Sequence, residues 1–340
     1  MNLEFSIIIP VYNRPQEIDE LLQSISNQQF KQGVEVLVIE DGSEVLSDRI
    51  AEKYKDSLDI KYFYKENSGP GDSRNYGMRK AGGNYFIILD SDCILPENYI
   101  DEITSALAHH YTDAYGGADA AHAGFSVMQK AINYSMTSFL TTGGLRGHEK
   151  ARNKFQLRSF NMGISKKAFL KTGGFSQQHY GEDIDLTFRL WSNDFETQFI
   201  QNAFVYHKRR ATWKQFVQQT FNFGAARPVL NQMHPNSSKI TFWFPSLFVI
   251  GLIVAIIFSL TGNHLLLTIY GVYFMAVFFD AINKNRCMGE TCFTSIATGL
   301  SAMAATLVQF TGYGTGFLRS VFRLKILKKS TAKAFPKMFA

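Results

Sequence analysis

Apolar residues open the chain in a short Ile-rich run at 5–10, closed by Pro10, whose length and β-branched content predict a buried strand. Residues 16–28 then place Ile18, Leu21, Leu22 and Ile25 at helical spacing, so one helix face can bury. A second apolar run at 34–39 stops at EDGS. Strand, helix and strand in that order predict a parallel βαβ unit. The alternation continues with a helix at 48–54, a strand at 60–64, a helix at 72–80 and a strand at 85–89, the layout of a doubly wound α/β sheet. Ligands of such sheets bind beyond the carboxyl ends of the strands, which gathers the loops 10–13, 40–43 and 90–92 around one crevice.

Beyond about residue 116 the pattern loosens. A Gly/Ala-rich stretch (YGGADAAHAG) and a polar basic segment at 146–158 precede NMGISKKAFLKTGGF and GEDIDLTFRLW, in which Leu186, Leu190 and Trp191 share one helix face. An aromatic strand predicted at 198–206 leads to His207. The composition then shifts, with no charged residue at 240–260, 264–279 or 292–318. Three such stretches in series point to lipid rather than to a protein core. The predicted organisation is an α/β domain at 1–215, a connecting or interfacial segment at 216–239, two to three apolar helices at 240–318 and a basic amphipathic tail at 319–340.

Charge sharpens this division. The formal net charge is +6, yet Arg319, Arg323, Lys325, Lys328, Lys329, Lys333 and Lys337 all follow the last acid, Glu290, so the rest sums to about −1. A basic tail beside apolar helices suits anionic headgroups, and no nucleic-acid partner is expected. Three cysteines without zinc-like spacing argue for a reducing compartment. The start, MNLEFSIIIP, has no signal-peptide pattern, so a cytoplasmic N-terminal domain on a multi-pass protein of the inner (cytoplasmic) membrane is expected. Three full spans would put the basic tail on the far side, against the positive-inside rule. The third segment, with Gln309 and TGYGTGFL, is therefore expected to be re-entrant or interfacial, with a basic amphipathic helix at about 317–329.

The chemistry begins at Asp90 and Asp92, two like charges that follow the buried run 86–89 and call for a partner, most simply a cation. Alternate residues of an extended chain face the same way, so both could address one Mg²⁺ or Mn²⁺; a solvated acidic turn is the plainer alternative. Asp41 could accept a hydrogen bond from a base or ribose, or could be a turn aspartate. Arg74, in GDSRNYG, could face a diphosphate or lie on a helix surface. Glu182 and Asp183 open a helix, where a carboxylate can act as a general base or merely complement the dipole. His207 could ligate a metal or sit at the surface before Lys208, Arg209 and Arg210. Neither GxGxxG nor GxxxxGK[ST] follows the first strand, so a nucleotide would be held differently.

Together SIIIPVYNRP, VIEDGS, NSGPGDSRNYGMRKAGGNYFIILDSD, NMGISKKAFLKTGGF and GEDIDLTFRL resemble, in order and spacing from residue 6 to about 191, the blocks of family-2 glycosyltransferases of the GT-A fold. The resemblance implies a nucleotide-sugar-binding domain, Rossmann-like with a mostly parallel sheet. It implies inverting, metal-dependent transfer of a sugar from a nucleotide-sugar donor, a UDP-sugar being expected, to a hydroxyl of a saccharide or lipid-linked acceptor in cell-surface polysaccharide or glycolipid assembly. By the same likeness Pro10, Tyr12 and Asp41 line the nucleoside pocket, Asp90 borders the ribose or metal, and Asp92 binds Mn²⁺ or Mg²⁺ at the diphosphate. Asp183 is then the catalytic base, Glu182 helps place the acceptor hydroxyl, and His207 adds a metal ligand. One block departs: where processive members carry QxxRW, this chain reads KRRATWKQFVQQTFNFGAAR, so a single addition is expected, with Arg209, Arg210, Trp213 and Arg227 as candidate acceptor or headgroup contacts. A nucleotidyltransferase would show a Gly-rich loop and lysine where VYNRPQ stands, and a degenerate scaffold would have lost Asp41, Asp90, Asp92 or Asp183.

Overall fold

The computed structural model describes residues 2–28, 33–122, 124–143, 154–210 and 212–331. By compactness the chain divides into two units, 1–120 with 147–207, and 121–146 with 208–338.

The first unit is built on an eight-stranded sheet of β1 (Phe5–Val11), β2 (Glu35–Asp41), β3 (Asp59–Lys65), β4 (Tyr85–Leu89), β5 (Cys93–Ile94), β6 (Ala114–Ala120), β7 (Asn161–Ser165) and β8 (Thr197–His207). Their order is β3-β2-β1-β4-β7-β6-β8-β5. The first four strands are parallel neighbours, joined through the helices Pro15–Ser26, Asp48–Lys53 and Pro70–Lys80, as the alternating pattern predicts. Four of the seven strand pairings among the described residues are parallel, β6 with β8 included, as a mostly parallel sheet requires; beyond β4 the sheet is mixed, β7 running antiparallel to β4 and β6, and β5 antiparallel to β8.

β1, β2 and β4 are buried along their whole length because helices cover both faces, which is why they read as unbroken apolar runs. Ile7, Ile9, Val36, Val38 and Ile87 face one apolar cluster, and Ile8, Leu37, Ile39, Phe86 and Ile88 face another. The Pro15–Ser26 helix starts on a proline, which costs nothing where the N–H has no partner anyway, and buries Ile18, Leu21, Leu22 and Ile25.

The second unit is helical: Val127–Thr137, Phe139–Thr142, Trp213–Met233, Phe244–Leu260, Leu265–Cys287 and Cys292–Val321. Its membership differs from the expected boundary at 215, because 121–146 joins it and the sheet unit ends at 207. Ala131, Ile132 and Met136 bury against Phe216, Val277, Ala281, Ala302 and Ala305, which carries the early segment into the helical core. The expected connecting segment is mostly the 21-residue helix Trp213–Met233. TGYGTGFL does not interrupt the third apolar helix. Its glycines allow backbones to touch: a Cβ on Gly312 would lie 2.0 Å from Thr220 Oγ1, and one on Gly316 would lie 2.2 Å from the Phe221 carbonyl oxygen. That helix widens into a π-helical turn at Phe322–Ile326, so the basic helix expected to reach 329 ends earlier. Lys333 and Lys337 lie outside the described residues. Three helices, Ile240–Leu260, Leu265–Cys287 and Cys292–Ile326, are long and apolar enough to cross a membrane.

Close packing at one sheet position gives a test of the fold. Gly163 of β7 lies beneath the Tyr115 ring of β6, and a Cβ there would fall 2.0 Å from Tyr115 Cε1. Tyr115 is itself stacked on Tyr85, with centroids 6.1 Å apart, and cannot retreat without opening the core. Gly163→Ala should therefore cost about 1–3 kcal/mol in urea unfolding. Gly33→Ala, at an exposed position with nothing within 4 Å, should leave the midpoint unchanged or slightly raised.

Candidate active site

At the end of β4 the chain turns instead of running on extended, with the Cys93 N–H donating to the Asp90 carbonyl at 3.1 Å. The expected geometry, two carboxylates facing one point from a straight strand, is therefore not found. Asp90 Oδ1 accepts from Arg74 Nη2 at 2.7 Å. Asp92 is buried and pairs through Oδ2 with Arg14, while its Oδ1 faces His207 Nε2 at 3.3 Å. His207 reaches this place because the short strand β5 pairs with the end of β8, setting Cys93 opposite His207. Its ring stacks on Phe160 at 4.6 Å, so it is part of the site rather than a surface histidine. Burial alone would raise the Asp92 carboxyl, but His207 and Arg14 outweigh it and hold the group far below the usual carboxylate range.

Ligand atoms of Asp92, Cys93 and His207 lie within 4.8 Å of one another. Asp92 Oδ1 is buried and meets no donor in good hydrogen-bond geometry. Its 3.3 Å separation from His207 Nε2 is close to the roughly 3 Å that adjacent ligands keep on a cation with bonds of about 2.1 Å. A carboxylate oxygen and an imidazole nitrogen thus fit a divalent cation. Cys93 Sγ is directed at the Phe160 carbonyl, 3.5 Å away.

Arg74 was expected on a helix surface or facing a diphosphate. It is instead buried, with Nη2 on Asp90 and Nη1 donating to Glu182 Oε1 at 3.1 Å, and with its guanidinium 5.2 Å from the centre of the Phe175 ring. The adjacent Asn75 fixes the loop ahead of Glu182: its Nδ2 donates to the Phe175 carbonyl and its Oδ1 accepts the Phe175 N–H, both at 2.8 Å. The blocks GDSRN and GGF are thereby one joint.

Glu182 and Asp183 open the helix Glu182–Ser192 after Gly181, whose φ is 75°. Glu182 is buried, with Ser159 Oγ 3.4 Å from Oε1. Burial and the charge of Asp183 push its carboxyl up to about 7, prevailing over an Arg74 that is shared with Asp90. Asp183 is partly open. Its Oδ1 accepts the Ile184 N–H at 2.8 Å, while Oδ2 lies 4.0 Å from Arg158 Nη1, beyond hydrogen-bond distance. Asp185 turns away to Arg189.

Asp41 is buried at the end of β2, ion-paired with Lys65, and accepts the N–H groups of Ser68 and Gly69 at 3.0 and 2.9 Å. It shapes the 66–69 loop. Pro10 is buried at the end of β1 and Tyr12 is 51% exposed beside it. Asn13 Oδ1 then accepts the N–H groups of Glu44 and Val45 at 2.8 and 3.2 Å, joining the loops after β1 and β2 as the crevice requires. Arg209, Arg210, Trp213 and Arg227 belong to the helical unit. There Arg209 is buried on Asn133 at 3.2 Å and Arg227 lies 4.3 Å from the centre of the Phe242 ring. Sequence reasoning missed Arg14 and Cys93, which become candidates only once β1, β5 and β8 are placed.

The model of the family described as Glycosyl transferase family 2 matches residues 6–173. A Campylobacter jejuni GalNAc(5)-diNAcBac-PP-undecaprenol beta-1,3-glucosyltransferase is 25% identical over 230 residues, covering 66% of this chain and 69% of that protein. The Staphylococcus aureus poly(ribitol-phosphate) beta-N-acetylglucosaminyltransferase TarS is 33% identical over 114 residues, and the match spans about a fifth of its length (20%) and 33% of this chain. In fold, the chain is similar to the Pyrobaculum calidifontis mannosyltransferase PcManGT, solved with GDP-Man and Mn²⁺, at a TM-score of 0.60 and 14% identity over 95% of this chain and 88% of that one.

The buried glutamate makes stability depend on pH. Its carboxyl is raised from 4.5 to about 7 on folding, so the folded protein keeps a proton that the unfolded chain releases. The associated stabilisation is complete below the unfolded value and is lost as pH rises through the folded one. Compared with Glu182→Gln in urea unfolding, the wild type should lose up to about 3 kcal/mol of relative stability between about pH 4.5 and pH 8. A flat difference across that range would contradict the burial-driven rise.

Proposed function

This chain is a glycosyltransferase carrying a family-2 domain of the GT-A fold, and from that premise we propose that it moves one sugar, with inversion, from a nucleotide-sugar to a hydroxyl of a lipid-linked or saccharide acceptor. The observation that carries the reading is Arg74, buried between Asp90 and Glu182, which sets a cation-fitting carboxylate turn and an acidic helix start into one wall.

In this reading the acceptor hydroxyl gives its proton to Asp183 Oδ2 as its oxygen attacks the anomeric carbon, and the bond from that carbon to the diphosphate oxygen breaks on the opposite face. Glu182, retaining its proton up to about pH 7, helps place the hydroxyl without setting a second full negative charge beside Asp183. Asp92 and His207 would hold the cation, with Asp90 at its border. When bound, it supplies positive charge to the departing diphosphate. An imidazole ligand favours Mn²⁺ over Mg²⁺, which prefers oxygen. Pro10, Tyr12 and the loop shaped by Asp41 form the nucleoside side.

Both named bacterial relatives make β linkages, the product an inverting displacement gives from an α-linked nucleotide sugar such as a UDP-sugar. The undecaprenol-linked substrate in the Campylobacter protein's name and the three apolar helices of this chain support a lipid-linked acceptor. They also support work in polysaccharide or glycolipid assembly at the cytoplasmic membrane.

The test is donor binding and turnover in detergent across a panel of nucleotide sugars with Mn²⁺, Mg²⁺ or EDTA. One donor should bind and turn over with metal, best with Mn²⁺, and EDTA should abolish both. Asp92→Ala should lose metal-dependent donor binding. Asp183→Asn should keep donor binding while transfer falls by roughly 10²–10⁴-fold. Near-full turnover by Asp183→Asn would remove it as the base.

A further inference from the structure

The three apolar helices are not equally free to enter lipid. Along Phe244–Leu260 and the first part of Leu265–Cys287, Leu247, Ile250, Ile253, Ile257, Leu265 and Ile269 are exposed with no charged residue among them. Tyr273 Oη donates to the Leu140 carbonyl and Ser246 Oγ to the Gly314 carbonyl, both at 3.1 Å, but the first charged residue is Asp280, which accepts from Tyr134 Oη at 2.6 Å and Lys284 Nζ at 2.9 Å. The limbs, residues 244–260 and 265–279, are therefore about 25 and 22 Å long, against a hydrocarbon core of about 30 Å.

The Cys292–Val321 helix has another companion. Its 312–316 stretch packs closely on Trp213–Met233: a Cβ on Gly224 would fall 2.0 Å from the Tyr313 carbonyl oxygen, one on Gly316 2.2 Å from the Phe221 carbonyl oxygen, and one on Gly312 2.0 Å from the Thr220 hydroxyl. Trp213–Met233 carries Lys214, Gln215, Gln218, Gln219, Asn222 and Arg227. If the third helix crossed the bilayer, it would carry that polar helix to hydrocarbon depth, where each such group is heavily penalised.

We infer that the only membrane-inserted element among the described residues is the hairpin formed by Phe244–Leu260 and the start of Leu265–Cys287. The third apolar helix lies in the interfacial plane beside Trp213–Met233, so both ends of the hairpin and the basic residues after 318 share one membrane face. The partner is an anionic lipid surface. Arg319, Arg323, Lys325, Lys328 and Lys329 follow the third helix with no acid, which complements that surface and makes this face the cytoplasmic one. The two-limbed insertion also removes the clash between three spans and the positive-inside rule.

The inference rests on the proposed membrane attachment and not on the transfer chemistry. In the full chain with Cys287→Ser and Cys292→Ser, and Cys93 left buried, single reporters Lys214→Cys and Ser330→Cys are exposed to an impermeant maleimide in bacterial cells. Both should react only after the membrane is opened; reaction of Ser330→Cys in intact cells would overturn the inference. Separately, Ile253→Lys with Ile257→Lys should lower the carbonate-resistant membrane fraction at least tenfold. Leu300→Lys with Leu307→Lys, exposed on the third helix, should change it less than twofold, and the reverse pattern would also overturn it. A wild-type chain absent from the membrane fraction would refute the attachment itself. Lack of donor turnover in a correctly oriented chain would refute only the transferase reading.

Discussion

A guanidinium taken out of water must find its partners at fixed places, and Arg74 finds the carboxylate of Asp90 on one side and the carboxyl of Glu182 on the other. Removing Asp90 leaves the buried guanidinium without its ionised partner, which costs far more than the pair contributes over apolar packing. The turn after β4 and the first residue of Glu182–Ser192 therefore hold one another. Asn75, clamped on the Phe175 backbone, makes the same link through neutral hydrogen bonds. Because Arg74 is divided between two acids, it does not fully neutralise Glu182, and the carboxyl beside Asp183 keeps its proton into the neutral range.

A second balance surrounds Asp92. Arg14 and His207 meet its two oxygens, and only the latter is a group that can share a cation with it. Asp92 and His207 come together through the pairing of β5 with β8, two strands far apart in the chain. The sheet thus does for Asp92 what the buried arginine does for Glu182: it fixes a charged group from one segment against a partner from another.

The helical unit obeys a different constraint. Its small residues bring backbones into contact, and a helix joined so closely to a polar neighbour shares that neighbour's solvent. Hydropathy along Cys292–Ile326 marks a candidate span, as for the two helices before it, but its companion separates them. The glycines that make TGYGTGFL look weak as a helix are what allow it to pack continuously.

The buried strands and helix stripes of the first hundred residues were legible in the sequence, because burial on both faces of a parallel sheet, or along one helix face, leaves a period that local composition displays. The acidic turn, the acidic helix start and His207 were visible as residue types in suggestive places. Their partners were not: Arg74 and Glu182 lie 108 positions apart, Arg14 gave no signal in VYNRP, and the turn at Asp90 replaced the straight strand that spacing suggested. The sequence by itself determined which segments bury and which residues carry charge, since both follow from side chains read in order. Only the tertiary structure decided which charges meet and which apolar helix has a polar companion, since those are contacts between segments that no local period records.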